Sequence, residues 1–263
     1  SVHAQDDDDA AALMTPTNFV EIGASYTSNS SAKFGEYNGL NSSGVDAVAN
    51  FSVRGGDAYG DGKGTMRWSI TGSDLGLTSR SLDASIGNQG QWSLRLGYDQ
   101  LRHNISDTYQ TPQQGSVGGN VFTFPANFGT INGGANPSAR VLDATQLGAF
   151  HTEDVYTERK DSSFGAGYTF SPRLSLQFDF NHLDQDGAKL LGTGALGGIA
   201  TPLGGTWRAE AVNIILNPTK YKTDNFNLAL NWIGDKGHLT LGYHGSIFRD
   251  GYDRLSWNSA LSQ

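Results

Sequence analysis

His238 and His244 are the closest approach in this chain to a metal-binding pair. Both fall on one side of an extended segment, but six strand residues at 3.3–3.4 Å each separate them by about 20 Å. A metal ion holds its nitrogen ligands at about 2 Å, so the two read as the polar lining of a wet surface. Gly192-Thr193-Gly194-Ala195-Leu196-Gly197 has the spacing of a dinucleotide-binding turn. That chemistry needs a strand before the glycines and a helix N-terminus after them to meet the pyrophosphate. Here they stand in a Gly-rich stretch read as a loop, with no helical pattern following. The Asp6 to Asp9 run has the charge to hold a cation, yet acidic runs are usually solvated and disordered. Carboxylates are otherwise scattered, with no local Ser/His/Asp signature and no zinc-ligand spacing. Cys 0 removes disulfides, thiolate metal sites, cysteine nucleophiles and covalent haem attachment from this chain. The expectation is a protein that is not an enzyme and binds no cofactor itself.

What the sequence does contain is alternation. Trp92, Leu94, Leu96 and Tyr98 share one face of an extended segment, while Gln91, Ser93, Arg95 and Asp99 share the other. Phe164, Ala166, Tyr168 and Phe170 oppose Ser163, Gly165 and Thr169; Leu174, Leu176, Phe178 and Phe180 oppose Arg173, Gln177, Asp179 and Asn181. Successive strand side chains point to opposite faces, so a period of two predicts strands with one apolar and one polar side.

Composition narrows the solvent. With 37% hydrophobic residues, 11% aromatic and Gly 35, and a mean hydropathy of -0.40, no run approaches the roughly 18 apolar residues of a spanning helix. A transmembrane barrel needs only half of each strand to be apolar. The net charge of -8 lacks the clustered cations that phosphate neutralisation requires, so no nucleic-acid partner is expected. The opening Ser1-Val2-His3-Ala4-Gln5 resembles the end of a secretory signal, which makes residues 1–18 a disordered acidic tail and 19–263 the barrel portion.

Strands are predicted over Phe19–Thr27, Val45–Arg54, Gly64–Gly72, Ser79–Ile86, Gln91–Arg102, Ser162–Phe170, Arg173–Leu183, Thr223–Trp232 and Gly237–Phe248, with Trp207–Leu216 as an optional further one. Turns at Gly60-Asp61-Gly62, Gly87-Asn88-Gln89-Gly90, Ser171-Pro172-Arg173 and Gly234-Asp235-Lys236-Gly237 close hairpins. Long loops are expected over Ser28–Gly44, His103–Asp161 and Asp184–Lys222. Short turns at one rim and long loops at the other suit an outer-membrane barrel, as does a strand length of about 9–11 residues across the hydrocarbon. The apolar faces, such as Val45, Ala47, Ala49, Phe51 and Val53, or Phe226, Leu228, Leu230 and Trp232, carry no charge. A cation at mid-membrane there costs about 2–4 kcal/mol. Tyr26, Trp68, Trp92, Tyr98, Phe170 and Trp232 are placed toward strand ends, as interfacial aromatic belts require.

Four ordered segments carry a family likeness: Lys33-Phe34-Gly35-Glu36-Tyr37-Asn38-Gly39-Leu40, Asn217 through Asp224, Leu239 through Phe248, and Leu255-Ser256-Trp257-Asn258. They resemble signature segments of the MtrB/PioB family of decahaem-associated outer-membrane barrels, over a stretch from about Phe19 to Asn258. The resemblance implies an antiparallel transmembrane β-barrel in the bacterial outer membrane that sheathes a periplasmic decahaem c-type cytochrome. Haem would be carried by that partner, with an outer-surface multihaem cytochrome as a second partner and membrane lipid around the wall. Arg67, Arg95, Arg173, Gln177, Asp179, Asn227 and His244 would then face water or the cytochrome, and Lys33, Phe34, Glu36 and Tyr37 would form a partner-contact loop. The family barrel has more strands than nine, and the terminal Ala260-Leu261-Ser262-Gln263 lacks a closing aromatic, so the chain is expected to be an incomplete fragment of a larger barrel. A general diffusion porin and a soluble β-sandwich or adhesin are the competing readings, since both also alternate.

Overall fold

The computed structural model describes residues 17–60, 64–125, 128, 143–200 and 206–258. Its main element is one nine-stranded antiparallel meander. The strands are β1 (Phe19–Thr27), β2 (Gly44–Gly55), β3 (Met66–Leu75), β4 (Ser79–Asn88), β5 (Trp92–Thr111), β7 (His151–Ser171), β8 (Leu174–Ala200), β9 (Thr206–Gly234) and β10 (Gly237–Asp250). A two-residue strand β6 (Val121–Phe122) in the β5–β7 connection pairs in parallel with β11 (Ser256–Trp257). The same connection holds a five-residue helix α1 (Ala144–Gly148), capped by the Asp143 carboxylate accepting from the Gln146 amide at 2.8 Å.

Each sequential strand pairs with the next, apart from the short β6 and β11, and β1 and β10 are the two edges of a sheet that does not close. Each of the nine strands overlaps one of the nine predicted from alternation, although β5, β7, β8 and β9 run well beyond their predicted bounds. Residues 1–16 and 259–263, which include the acidic run and the terminal Ala260–Gln263, lie outside the described residues, as does Gly62 of the β2–β3 turn.

One rim carries tight turns together with the longer β2–β3 connection, which runs from Gly56 to Thr65 instead of closing tightly at Gly60-Asp61-Gly62. Gln89-Gly90-Gln91 joins β4 to β5 with Gly90 at φ 76, and Pro172-Arg173 and Asp235-Lys236 join β7 to β8 and β9 to β10. The opposite rim holds the long β1–β2 and β5–β7 connections, but also the three-residue β3–β4 turn. Two expected loops are corrected. Asp184–Lys222 is largely strand, because β8 and β9 run on as one ladder from Leu174↔Trp232 to Ala200↔Thr206. Likewise β5 continues to Thr111 and β7 begins at His151, so only the middle of His103–Asp161 is a connection. The Gly192–Gly197 pattern therefore lies in strand β8, and Trp207–Leu216 belongs to β9 rather than to an additional strand.

A soluble sandwich would cover one face of each sheet with another layer. Among the described residues no second layer covers this sheet, and its apolar residues stay bare: Ile22 is 84% exposed and Tyr243 65%. Among the described residues the buried packing lies at the loop rim, where Phe122, Val155, Ala188 and Leu216 meet Ile105, Tyr109, Val117 and Leu255. There the β5–β7 connection and the segment after β10 fold together: Tyr252 Oη donates to the Gly118 carbonyl at 2.7 Å, and Gln113 Nε2 to the Asn258 carbonyl at 2.9 Å.

Candidate functional site

The site is the wall itself, and strand register builds it. On the apolar face, Ile86, Leu94, Ala166, Phe178, Leu228 and Tyr243 stand opposite one another across six strands, from β4 to β10. The next row is Ala84, Leu96, Phe164, Phe180, Phe226 and Gly245. Where glycine leaves a gap, the directly paired aromatic covers it. A Cβ on Gly245 would meet the Phe226 ring at 2.2 Å, one on Gly72 the Phe51 ring at 2.6 Å, and one on Gly55 the Trp68 ring at 2.8 Å. Cross-strand pairs of this kind knit a sheet face into a continuous apolar surface.

The polar face obeys the same register. Ser85, Arg95, Gly165, Asp179, Asn227 and His244 form one row, which Ser69 and Arg54 extend onto β3 and β2. Four of the residues expected on that face, Arg95, Asp179, Asn227 and His244, thus stand at one height. Arg67 and Gln177 share the neighbouring row with Gly87, Ser93, Gly167, Ala229 and Gly242.

Contacts divide these residues. Arg95 Nη2 reaches Asp179 Oδ1 at 3.3 Å, and Gln177 Nε2 donates to Asp179 Oδ2 at 2.9 Å. Arg95 and Asp179 sit on strands two spacings apart, about 9–10 Å. They meet because Gly165 lies between them; its Cβ would stand 3.1 Å from Arg95 Nε and 3.2 Å from Asp179 Oδ1. Asn227 and His244 line the same shallow groove beside the pair, together with Asp83, Asn181 and Asn225. Arg67 stays apart, its guanidinium 5.7 Å from the Tyr59 ring, which Arg54 also approaches. Arg173 is in the turn rather than the wall, and ties two turns together through Asp235 at 2.5 Å.

Asp83, Asp161 and Asn225 belong to this face although they were not among the expected residues, beside Asn181, which alternation had placed there. Asn181 donates to Asp161 at 2.5 Å. Their signal was available, since they share the parity of Arg95 and Asp179. Among the described residues no group of three or more His, Asp or Glu is arranged to hold a metal ion.

The Lys33–Leu40 segment crosses above β3 and β4 to dock on β5. The Asn104 amide donates to the Glu36 carbonyl at 2.9 Å, Asn104 Nδ2 to the Gly35 carbonyl at 2.8 Å, and the Ala32 amide to Asp107 at 2.8 Å. Tyr37 stacks on His103 with centroids 4.5 Å apart. Glu36 is held from both sides, by Lys33 and by His103 at 3.4 Å. The Lys33 hydrogen bond is the main reason that the Glu36 carboxyl lies below its usual range. Lys33 and Phe34 remain exposed.

The family model "Putative outer membrane beta-barrel porin, MtrB/PioB" matches residues 26–263. A curated relative, outer membrane protein MtrB of Shewanella baltica (strain OS185), is 24% identical over 214 residues, which make up 81% of this chain and 27% of the relative. The chain spans about a quarter of that relative's length.

Proposed function

Because the chain belongs to the MtrB/PioB family of outer-membrane β-barrel porins, we propose that it forms part of a sheath holding a multihaem c-type cytochrome across the outer membrane. Electrons would then pass between periplasm and cell exterior through the enclosed partner. Lipid tails meet the apolar face, and the polar face lines the bore.

The observation that carries this reading is the texture of the polar face. Its rows are dominated by short side chains, Ser85, Ser93, Gly165, Gly167, Ala229 and Gly242, punctuated by Arg95, Asp179, Asn227 and His244. A narrow barrel of about eight strands fills its interior with its own side chains. This wall is low, wet and well supplied with donors and acceptors, which suits the surface of a folded protein that cannot enter lipid with its polar groups unsatisfied. The chain's share of the relative's length also supports a barrel wider than nine strands. At the loop rim, exposed Lys33 and Phe34 are the proposed contacts for an outer-surface multihaem cytochrome, while Glu36 and Tyr37 hold the loop that presents them.

The test is isolation of the full-length protein from outer membranes. The sheath reading expects a haem-staining c-type cytochrome to co-purify, and electron transfer into liposomes to require both components. A barrel that conducts ions alone and retains no haem protein would make it a diffusion porin.

A further inference from the structure

We infer that the apolar face ends, on the loop side, in a girdle that binds the phosphate groups of the phosphorylated glycolipid of the outer leaflet. Arg80, Gln100, Lys160, Asp184, Lys222 and Arg249 are direct register partners across β4, β5, β7, β8, β9 and β10. They form one unbroken row on the apolar face, five strand spacings or about 24 Å wide. Long loops mark the exterior rim of an outer-membrane barrel, so the row belongs to the outer leaflet.

Its height fits the lipid. Lys222 lies ten residues along β9 from Trp232, which marks the opposite end of the apolar band. Ten strand residues tilted near 45° rise about 24 Å, against an apolar band about 25 Å tall. The girdle thus sits where acyl chains give way to headgroups. The turn-side end of the same face carries Trp92, Tyr168 and Trp232 in place of a cationic row.

Charge points the same way. The row and the two rows beside it hold six cations across these strands, Arg80, Arg102, Lys160, Lys220, Lys222 and Arg249, in a chain whose net charge is -8. Four carboxylates, Glu158, Asp184, Asp186 and Asp224, share the band. Lys160 pairs with Glu158 at 2.7 Å, Lys222 with Asp184 at 3.3 Å, and Arg249 Nη1 donates to Asp224 at 3.0 Å. These contacts hold the cations along the wall without hiding them: the three side chains stay 43%, 50% and 52% exposed. Arg80 is fixed by a 2.9 Å hydrogen bond from Nε to Gln100, and Arg102 by stacking 3.5 Å from the Tyr156 ring centroid. Among the described residues neither forms an ion pair, nor does Lys220. A cationic row aligned by its own carboxylates and left with surplus positive charge is complementary to a layer of lipid phosphates.

The inference is independent of any cytochrome, so it can fail while the sheath stands. The experiment uses the full chain in detergent, with native mass spectrometry of the lipid retained from three probes: bisphosphorylated lipid A, lipid A stripped of phosphate, and phosphatidylglycerol. The bisphosphorylated form should be retained best. Each cation near an anionic lipid surface contributes about fivefold in binding, so Arg80→Gln with Lys160→Gln and Lys222→Gln should lower its retention on the order of a hundredfold. Arg54→Gln, which removes one charge from the opposite face, should leave retention unchanged, and heat-modifiable gel migration verifies that each variant is folded. Equal retention of phosphate-free lipid A, equal retention of phosphatidylglycerol, or a folded triple variant that binds like the parent would each overturn the inference. If the triple variant does not fold, the three-probe comparison on the parent chain decides.

Discussion

Gly165 shows how much one missing side chain can arrange. Between Arg95 and Asp179 it leaves the space through which the two charges meet across an intervening strand. Both partners are well exposed, at 61% and 39%, so their coupling should be small, about 0.2–1 kcal/mol. A double-mutant cycle with Arg95→Gln and Asp179→Asn, read by unfolding from lipid vesicles, should return a value in that range, and in a Gly165→Val background it should fall to zero. Glu36 offers a second case. Its carboxyl is held below the usual range chiefly by the Lys33 hydrogen bond, so its anchoring is complete above the unfolded-state pKa, near 4. Anchoring is lost as pH falls through the lower folded-state value. Protease cleavage of the Lys33–Leu40 loop should therefore rise at acid pH, and Glu36→Gln should give a high, pH-independent rate.

Elements were legible wherever lipid dictates them. Phe19–Thr27 was bounded to the residue, and Ser79–Ile86 and Gly237–Phe248 fall two residues short of β4 and β10, because each alternates throughout a stretch about as long as the hydrocarbon is thick. The extensions of β5, β7, β8 and β9 were missed for the complementary reason. Beyond the girdle no lipid enforces a period of two, and Gly187 through Ala200 reads as a glycine-rich loop. Its strand character comes from the β9 partner, residue for residue, which no local pattern reveals. Of the expected polar-face residues, six fell on two adjacent rows because parity alone places them. Arg173 did not, since a turn residue has no parity. Gly187 marks where the extension departs from the wall. It has φ 118, is the last β8 residue paired with β7, and a Cβ there would lie 2.2 Å from the Tyr156 carbonyl oxygen. Gly187→Ala should destabilise the extension by about 1–3 kcal/mol. Amide exchange should quicken there while the belt strands stay protected.

At the scale of the molecule, this is a wall with a solvent on each side. Among the described residues neither face of the belt has a covering layer, and the small buried cluster lies at the loop rim. Water on both faces would leave Ile22, Leu96 and Tyr243 exposed without compensation, whereas acyl chains on one face make the same residues an asset. The edge strands β1 and β10 carry unpaired backbone groups that hydrocarbon cannot satisfy, so both edges must be paired when the wall spans the membrane. Sequence alternation alone could not separate this arrangement from a sandwich, because both bury every second residue; the layer left uncovered by the described residues does.

An arginine scan of the two faces, read as assembly into lipid vesicles by heat-modifiable migration, tests that claim most directly. Leu94→Arg, Leu176→Arg and Leu241→Arg should each cost about 2–4 kcal/mol of membrane-folded stability, while Ser93→Arg and Gln177→Arg should insert as the parent does. If the Leu94, Leu176 and Leu241 variants inserted normally and the Ser93 and Gln177 variants were blocked, the faces would be reversed and the sheath reading would fall with them.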